Sequence, residues 1–262
     1  MMARSRTSRP DNRPLYVPGK GALHMTTRDS DEQIAQNLKH GSVATLTHWL
    51  NTRGYRNAFI GGLLSVNPGI RMAGPARTIR FVPARPDLAE MWPDRETNPH
   101  RKCVEHIGAG EVLVVDAGGN AEGGVFGDIM TARLRGRNAA GLVVDGSLRD
   151  IWQIRQIDLA VYAKHTNAAA IQRAVVAVEM DGIITCGGVA VRPGDWIAGD
   201  PDGVVVIPAV HVAEAAAYAA EHEDLEIFLR EQVLAGASLA DAYPPNDTIK
   251  ARYTAQTGRP AH

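Results

Sequence analysis

The sequence of 262 residues has few cysteines, almost no net charge and no long apolar run. Its two cysteines, Cys103 and Cys186, lie in no C-x-x-C pattern, which argues against a zinc site or a redox motif and favours two buried thiols in a reducing compartment. No apolar run approaches the roughly 18 residues that a membrane span requires. The first residues also lack the apolar centre of a secretory signal. We therefore expect a cytoplasmic protein that does not bind membranes.

The formal charge of −1 is also informative, because non-specific binding to nucleic acid requires a basic surface. We expect no nucleic-acid partner. Residues 1–28 alone carry a formal charge of +5 and contain three prolines. They are predicted to form a disordered or partner-wrapping basic arm, with an organelle transit peptide as the alternative. Residues 29–240 are predicted to form a single domain, and residues 241–262 an extended C-terminal tail.

Alternation of apolar runs and glycine-rich turns indicates the fold class. Two buried strands are predicted at 111–116 and 141–145, and a shorter one at 161–163. Helices at about 125–136 and 150–157 separate them. This βαβαβ pattern predicts an α/β domain with parallel strands and flanking helices. Further predictions are two helices within 29–54, a strand at 76–82, a long loop at 83–103, a β-rich subregion at 175–207 and a helix at 209–235.

One spacing carries most of the functional information. Gly127-Asp128 and Arg149-Asp150 are separated by twenty residues, and each pair follows a predicted strand. Because parallel α/β sheets bind ligands at the carboxyl ends of their strands, both pairs are predicted to lie at one edge of the sheet. Two carboxylates are hard oxygen ligands that suit Mg²⁺ or Mn²⁺, and a guanidinium beside them can stabilise an oxyanion or clamp a carboxylate. A surface ion pair at a helix start is the alternative explanation for Arg149.

The combined pattern resembles the RraA-like family, which includes class II 4-hydroxy-4-methyl-2-oxoglutarate aldolases and the regulator of ribonuclease activity A. The resemblance covers roughly residues 34–240. It is carried by six segments, namely Met72–Thr78, Val112–Gly119, Gly127-Asp128, Gly141–Asp150, Val191–Asp195 and Gly199–Pro208.

The resemblance implies a swivelling β/β/α-type fold with a central parallel or mixed sheet, assembled as a homotrimer or a dimer of trimers. It implies a metal-dependent lyase that cleaves 4-hydroxy-2-oxo acids to pyruvate and a second carbonyl compound, and that also decarboxylates oxaloacetate. If the roles of the family's site residues hold at the matching positions here, Asp150 binds the metal directly, Asp128 binds it through water, and Arg149 faces the pyruvyl oxygen. The backbone from Gly124 to Met130, which includes Gly127 and Ile129, would hold the pyruvyl carboxylate.

Two departures from the family pattern keep an alternative open. Gln153 stands where the family often has an acidic residue, and the early helix has Thr45-Leu-Thr-His48 where an aspartate is common. Gln153 and the basic arm favour a second interpretation, a non-catalytic protein-binding regulator. A third, a methyltransferase, rests only on Val112–Gly118, where Asn120 replaces the second glycine of the expected motif. His165, after the third strand, is a further candidate for the cleft, although a lone histidine is more often structural.

Overall fold

The computed structural model describes residues 28–91, 94, 96–171 and 174–261. Within them the chain forms eleven strands and nine α-helices. The basic arm predicted for residues 1–28 lies outside the described residues, except for Arg28, at which the first helix begins. In the described part of the chain no helix is both long and apolar enough to cross a membrane.

The helices are numbered in chain order, and a 3-10 turn, Ala209–His211, precedes the seventh. Their bounds are α1 Arg28–His40, α2 Val43–Thr52, α3 Pro86–Ala89, α4 Pro99–Glu105, α5 Asp128–Gly136, α6 Ile151–Ile154, α7 Val212–Leu234, α8 Leu239–Ala242 and α9 Asp247–Thr257. The strands are β1 Phe59–Ile60, β2 Leu64–Ser65, β3 Met72–Pro83, β4 Val112–Phe126, β5 Gly141–Leu148, β6 Ala160–Thr166, β7 Val175–Met180, β8 Ile184–Cys186, β9 Val189–Val191, β10 Trp196–Asp200 and β11 Gly203–Ile207.

A nine-stranded mixed sheet forms the centre of the molecule, in the order β1-β11-β10-β3-β4-β5-β6-β2, with β7 paired to β3. Strands β3, β4, β5 and β6 run parallel. The predicted α/β class and the parallel βαβαβ unit are therefore confirmed. Strands β10 and β11 pair antiparallel and continue the sheet beyond β3.

Three apolar clusters cover this sheet. Helices α4, α5 and α6 pack on one face of the parallel strands through Val104, Leu134 and Ile154. The β8–β9 hairpin covers the opposite face. Helices α1, α2 and α7 pack against β10 and β11. Strands β4 and β5 are covered on both faces, and for this reason each contains a continuous apolar run in its sequence.

Two aspartates, one buried and one partly exposed, hold the β8–β9 hairpin in place. Asp145 is 5% exposed, and its carboxylate accepts a hydrogen bond from the Gly187 N–H (2.9 Å) and lies 3.2 Å from Lys164 Nζ. Asp116 accepts from the Thr185 N–H at 3.2 Å. Asp116 and Asp145 lie on the same two strands that lead to Asp128 and Asp150. Their carboxylates, however, accept hydrogen bonds from the backbone of the hairpin.

Four expectations about local structure were wrong. The segment 83–103 is not one long loop, because Pro86 and Pro99 each begin a short helix, and Asn98 caps the second by accepting from the His100 N–H (2.9 Å). The glycine-rich stretch after residue 116 does not leave the sheet. It continues β4 to Phe126 through register shifts, which glycines at positive φ such as Gly118 and Gly119 permit.

The remaining two concern the second half of the chain. The strands of residues 175–207 are not a separate β-rich subregion, since β7, β10 and β11 belong to the main sheet. The tail 241–262 is not extended throughout. Asn246 accepts from the Ile249 N–H and so caps α9, whose Ile249 and Tyr253 pack on Phe228 of α7. Burial of this apolar pair stabilises the helix, and tertiary burial of this kind cannot be read from local composition.

Candidate active site

Backbone topology brings the two separated pairs together. Strand β4 ends at Phe126 and leads into α5, while β5 ends at Leu148 and leads into α6. Phe126 and Leu148 are partners in the parallel ladder, and the Arg149 N–H donates to the Phe126 carbonyl oxygen at 3.0 Å. Gly127-Asp128 and Arg149-Asp150 are therefore adjacent at the carboxyl edge of the sheet, as their spacing predicts.

A small cavity of about 110 Å³ lies at this edge. Six of its lining residues were predicted from the sequence as site residues. Three others were not predicted, and a fourth, Val125, was predicted only as part of the Gly124–Met130 backbone; these four contribute an imidazole and apolar walls. The lining consists of Gly124, Gly127, Asp128, Ile129, Met130 and Arg149, together with His100, Val125, Ala170 and Ile171.

Asp150 lies beside the cavity without lining it. Its Oδ2 is 3.5 Å from Arg149 Nε, and both side chains are partly exposed. Asp150 is one of three non-glycine residues at positive φ in the described part of the chain, with φ of 59° and ψ of 38°. Backbone strain of this kind is concentrated at functional sites.

The start of α5 forms one wall. Its N-cap is Gly127, which offers no side chain to the free N–H groups of the first turn. Such a helix start attracts anions. The Ile129 N–H, however, already donates to Asp128 Oδ1 at 2.8 Å, and the Ile129 side chain is 77% exposed. One carboxylate oxygen of Asp128 therefore accepts a hydrogen bond within the start of the helix, and the second oxygen remains for a ligand.

Close packing leaves room only for glycine at two positions. A Cβ on Gly124 would lie 2.8 Å from Arg149 Cβ, and a Cβ on Gly127 would lie 2.6 Å from Asp150 Oδ2. Neither glycine has positive φ, so both are required for space and not for backbone conformation. They allow β4 to approach the Arg149-Asp150 pair closely.

His100 is the residue that the sequence did not reveal. It belongs to α4, within the segment predicted as a loop, and its ring lies edge-on to Phe81 and Phe126 with centroid separations of 5.1 and 4.9 Å. Burial lowers the pKa of its imidazole to about 4. The Asn98-Pro99 helix start was a signal for α4, but nothing in the sequence indicates that His100 faces the cavity. His165, the histidine considered from the sequence, is exposed and does not line it.

A larger cavity of about 620 Å³ lies elsewhere, among α1, α7 and α9. It contains none of the glycine, aspartate and arginine pairs described above. Its ionisable side chains His40 and Arg259 both pair with Asp224, so they are already occupied with one another, and size alone gives no reason to assign this cavity chemistry.

Fold and site together define an α/β protein with a small polar cavity at the carboxyl ends of parallel strands. The RraA-like family, described as Aldolase/RraA, matches residues 29–206. The chain belongs to this family.

Similar proteins agree with this assignment. One relative from Halalkalibacterium halodurans is 34% identical over 143 residues, which are 55% of this chain and 62% of the relative; its name, 4-hydroxy-4-methyl-2-oxoglutarate aldolase, is itself provisional. The chain therefore spans less than two thirds of that relative. The crystal structure of Streptomyces coelicolor RraAS2, described as an unusual member of the RNase ES inhibitor RraA family, is similar with a TM-score of 0.67 and 32% identity, covering 76% of this chain and 96% of that one. An uncharacterised protein from Pseudomonas syringae shares the fold at a TM-score of 0.70 and 23% identity, covering 81% and 97%.

Proposed function

We propose that the protein is a divalent-metal-dependent lyase that cleaves 4-hydroxy-2-oxo acids to pyruvate and a second carbonyl compound, and that also decarboxylates oxaloacetate. The observation that carries the proposal is the convergence of Arg149, Asp128 and the open start of α5 on one cavity, with the Asp150 carboxylate at its edge. The name of the Halalkalibacterium relative supports the same chemistry.

The donor set suits a hard cation. Asp150 and Asp128 offer carboxylate oxygens, the ligands that Mg²⁺ and Mn²⁺ prefer. Among the described residues no three histidine, cysteine or acidic side chains are grouped to hold a metal. The family resemblance implies that Asp150 would be the direct ligand and that Asp128 would act through water, and other positions would fall to the substrate, water or a neighbouring subunit. When bound, such a cation would act as a Lewis acid and stabilise negative charge on a substrate oxygen.

The chain's own groups have separate roles in the cleavage. The free N–H groups at the start of α5, around Met130, hold the substrate carboxylate. The Asp128 oxygen not bonded to Ile129 receives, by way of a water, the proton of the 4-hydroxyl. As that proton leaves, the C4–O bond becomes a carbonyl, the C3–C4 bond breaks, and its electrons move to the C2 oxygen. Arg149 stabilises the negative charge that develops there, and protonation at C3 gives pyruvate.

Decarboxylation of oxaloacetate would use the same groups, because loss of its distal carboxylate as CO₂ produces the same enolate. Arg149 and the start of α5 have the same roles in both reactions. Two activities in one cavity are therefore expected.

The proposed assembly is a homotrimer or a dimer of trimers. Ile129 and Trp152, on the helices next to the cavity, are 77% and 73% exposed. Large apolar side chains so exposed are typical of protein interfaces. Sedimentation at micromolar concentration tests this assembly, and a monomer under all conditions would contradict it. Cytoplasmic location and the absence of membrane and nucleic-acid partners stay predictions.

A pyruvate-release assay tests the activity. The full chain is incubated with Mg²⁺ and either oxaloacetate or 4-hydroxy-4-methyl-2-oxoglutarate, and pyruvate is followed with lactate dehydrogenase and NADH. We expect release that a chelator abolishes and added Mg²⁺ or Mn²⁺ restores. No turnover, or turnover indifferent to the chelator, would contradict the proposal.

A second candidate is the protein-binding regulator, favoured by the 32% identity with RraAS2 and its description as a member of an inhibitor family. A stoichiometric protein partner recovered together with absent lyase activity would support it. Clear chelator-sensitive turnover without a partner would dismiss it.

A further inference from the structure

A short segment between β6 and β7 forms part of the cavity wall. Two of its residues, Ala170 and Ile171, line the cavity. Residues 167–171, which we call the wall segment, lie outside the named strands, so the ladder of the main sheet does not fix them. Their position depends instead on contacts with the ends of the neighbouring strands.

The wall segment lies directly on β4 near the end of that strand. The Gly124 N–H donates to the Ala169 carbonyl oxygen at 2.9 Å, and Gly124 pairs with Ala170 in an isolated parallel bridge. A Cβ on Gly123 would lie 3.1 Å from the Ala170 carbonyl oxygen and 3.3 Å from Ile171 Cα. Glycine at these two positions therefore lets the backbone of the wall segment contact the strand.

Asn167 begins the wall segment and ties it to two strands. Its backbone N–H donates to the Leu148 carbonyl oxygen at the end of β5 (2.9 Å). Its side-chain Nδ2 donates to the Ala121 carbonyl oxygen of β4 (2.8 Å), and its Oδ1 accepts from the Ala169 N–H (2.8 Å). Because a side-chain amide offers a donor and an acceptor at once, Asn167 holds strand and segment together through one planar group.

Gly124 connects the wall segment to the polar side of the cavity. A Cβ on Gly124 would lie 3.0 Å from the Asn167 carbonyl oxygen and 2.8 Å from Arg149 Cβ. Asn167 and Arg149 are therefore packed against the same glycine. Because only this glycine separates them, the hydrogen bonds of Asn167 set the width of the cavity between the wall segment and Arg149.

The wall segment and Arg149 suit different parts of a small 2-oxo acid. The guanidinium and the start of α5 offer donors to its anionic oxygens, whereas the side chains of Ala170 and Ile171 offer no polar atom. The apolar wall therefore suits the carbon chain beyond C2. Since the cavity measures only about 110 Å³, a bound molecule lies close to every wall. One additional methylene group against an apolar wall changes specificity by about ten- to 200-fold.

We propose that the wall segment limits the size of the group at C3 of the 2-oxo acid, with Ala170 and Ile171 in contact with that carbon, and that Asn167 positions this wall. The inference rests on the proposed function and adds specificity-determining and positioning residues to it. Asn167 itself does not line the cavity, and it transfers no proton.

The test compares oxaloacetate with 3-methyloxaloacetate, which carries one additional carbon at C3. Ile171→Ala widens the cavity at the wall, Asn167→Ala removes both side-chain hydrogen bonds, and Asn167→Asp keeps the acceptor but not the donor. Asn57→Ala is the matched control, since Asn57 Nδ2 donates to the Gly188 carbonyl oxygen at 2.9 Å and does not line the cavity. For the full chain with Mg²⁺, kcat and KM are measured for both substrates from the 2-oxo acid released, and thermal unfolding is recorded.

The wild type should favour oxaloacetate in kcat/KM by at least about tenfold. Ile171→Ala and Asn167→Ala should each bring this ratio close to one. Asn167→Asp should do the same, because it leaves the Ala121 carbonyl without its donor. Asn57→Ala should keep the wild-type ratio whatever its melting temperature. A merely structural role of Asn167 would lower the melting temperature and leave the ratio unchanged.

Equal use of both substrates by the wild type, or an unchanged ratio in Ile171→Ala, would overturn the size limit while the lyase stands. An unchanged ratio in Asn167→Ala, or the same change in Asn57→Ala, would overturn the positioning role of Asn167. A wild-type chain that turns over neither substrate would instead overturn the proposed function, and this inference with it. If Asn167→Ala does not fold, the ratio in Asn167→Asp decides.

Discussion

The carboxylate of Asp150 lies against the backbone of Gly127, so that a Cβ on Gly127 would come within 2.6 Å of Asp150 Oδ2 and 3.1 Å of Arg149 Nε. Two residues twenty-three positions apart are thus so close that a methyl group on Gly127 would displace the Asp150 carboxylate. This close approach joins the glycine of the first pair to the carboxylate and the guanidinium of the second pair.

Gly127→Ala should therefore remove activity with little loss of stability. The new methyl group displaces the partly exposed Asp150 and Arg149 side chains, and a misplacement of about 1 Å lowers catalysis by roughly 100-fold. Gly136→Ala, at the other end of α5, is the control, because a Cβ there meets no atom within 4 Å. Steady-state kinetics with oxaloacetate and thermal unfolding of both variants check the prediction. Full activity in Gly127→Ala would contradict the arrangement.

Arg149 is expected to matter for activity and not for folding. Its side chain is 45% exposed and its ion pair with Asp150 spans 3.5 Å, so the pair contributes at most about 1 kcal/mol to stability. Arg149→Ala should lower kcat by about 100- to 1,000-fold, the loss seen when a group that stabilises an oxyanion is removed. Arg149→Lys should recover little, because an ammonium lacks the planar fork of the guanidinium.

Arg135→Ala provides the matched control for Arg149, since Arg135 pairs with Asp158 on the surface at 3.1 Å. It should leave both kcat and the melting temperature unchanged. A loss of activity as large as that of Arg149→Ala would show that the effect is not specific to the position of Arg149 in the cavity.

The burial of His100 predicts a pH dependence of stability. Its folded-state pKa of about 4 lies below the value of about 6.5 expected when unfolded. Between these values the unfolded chain binds the proton and the native chain does not, so stability decreases as the pH falls through this range. The total loss is about 3 kcal/mol. Urea unfolding from pH 4.5 to 7.5 should show it in the wild type and in His106→Gln, which changes an exposed histidine, and much less in His100→Phe. An unchanged slope in His100→Phe would contradict the burial of the imidazole.

The two cysteines should be unreactive in the native protein. Both thiols are free and buried, and burial raises the pKa of each well above its usual value, so neither is a thiolate at neutral pH. A colorimetric thiol reagent at pH 8 should label none in buffer and two in 6 M urea. Rapid labelling of the native chain would contradict the packing of Cys103 against the sheet or of Cys186, on strand β8 of the hairpin, against the opposite face.

Much of the fold could be predicted because its signals are local. The apolar runs that become β4 and β5 are short, buried and followed by glycine, and Ser42 caps α2 as its sequence indicates, accepting from the Thr45 N–H. The extent of β4 could not be predicted, because its bulged half is held by pairing with β5 and has no periodicity of its own. Helix α9 escaped prediction for a related reason, since its apolar face depends on contact with α7.

Spacing in the sequence determined that Gly127-Asp128 and Arg149-Asp150 lie at one strand-end edge, because parallel strands joined by helices must align their carboxyl ends. Only the tertiary structure decided that His100 completes the wall, that Asp150 stands beside the cavity in a left-handed conformation, and that Asp116 and Asp145 anchor a hairpin. The physical reason is that topology follows from local patterns, whereas the orientation of a side chain depends on which surfaces pack against it.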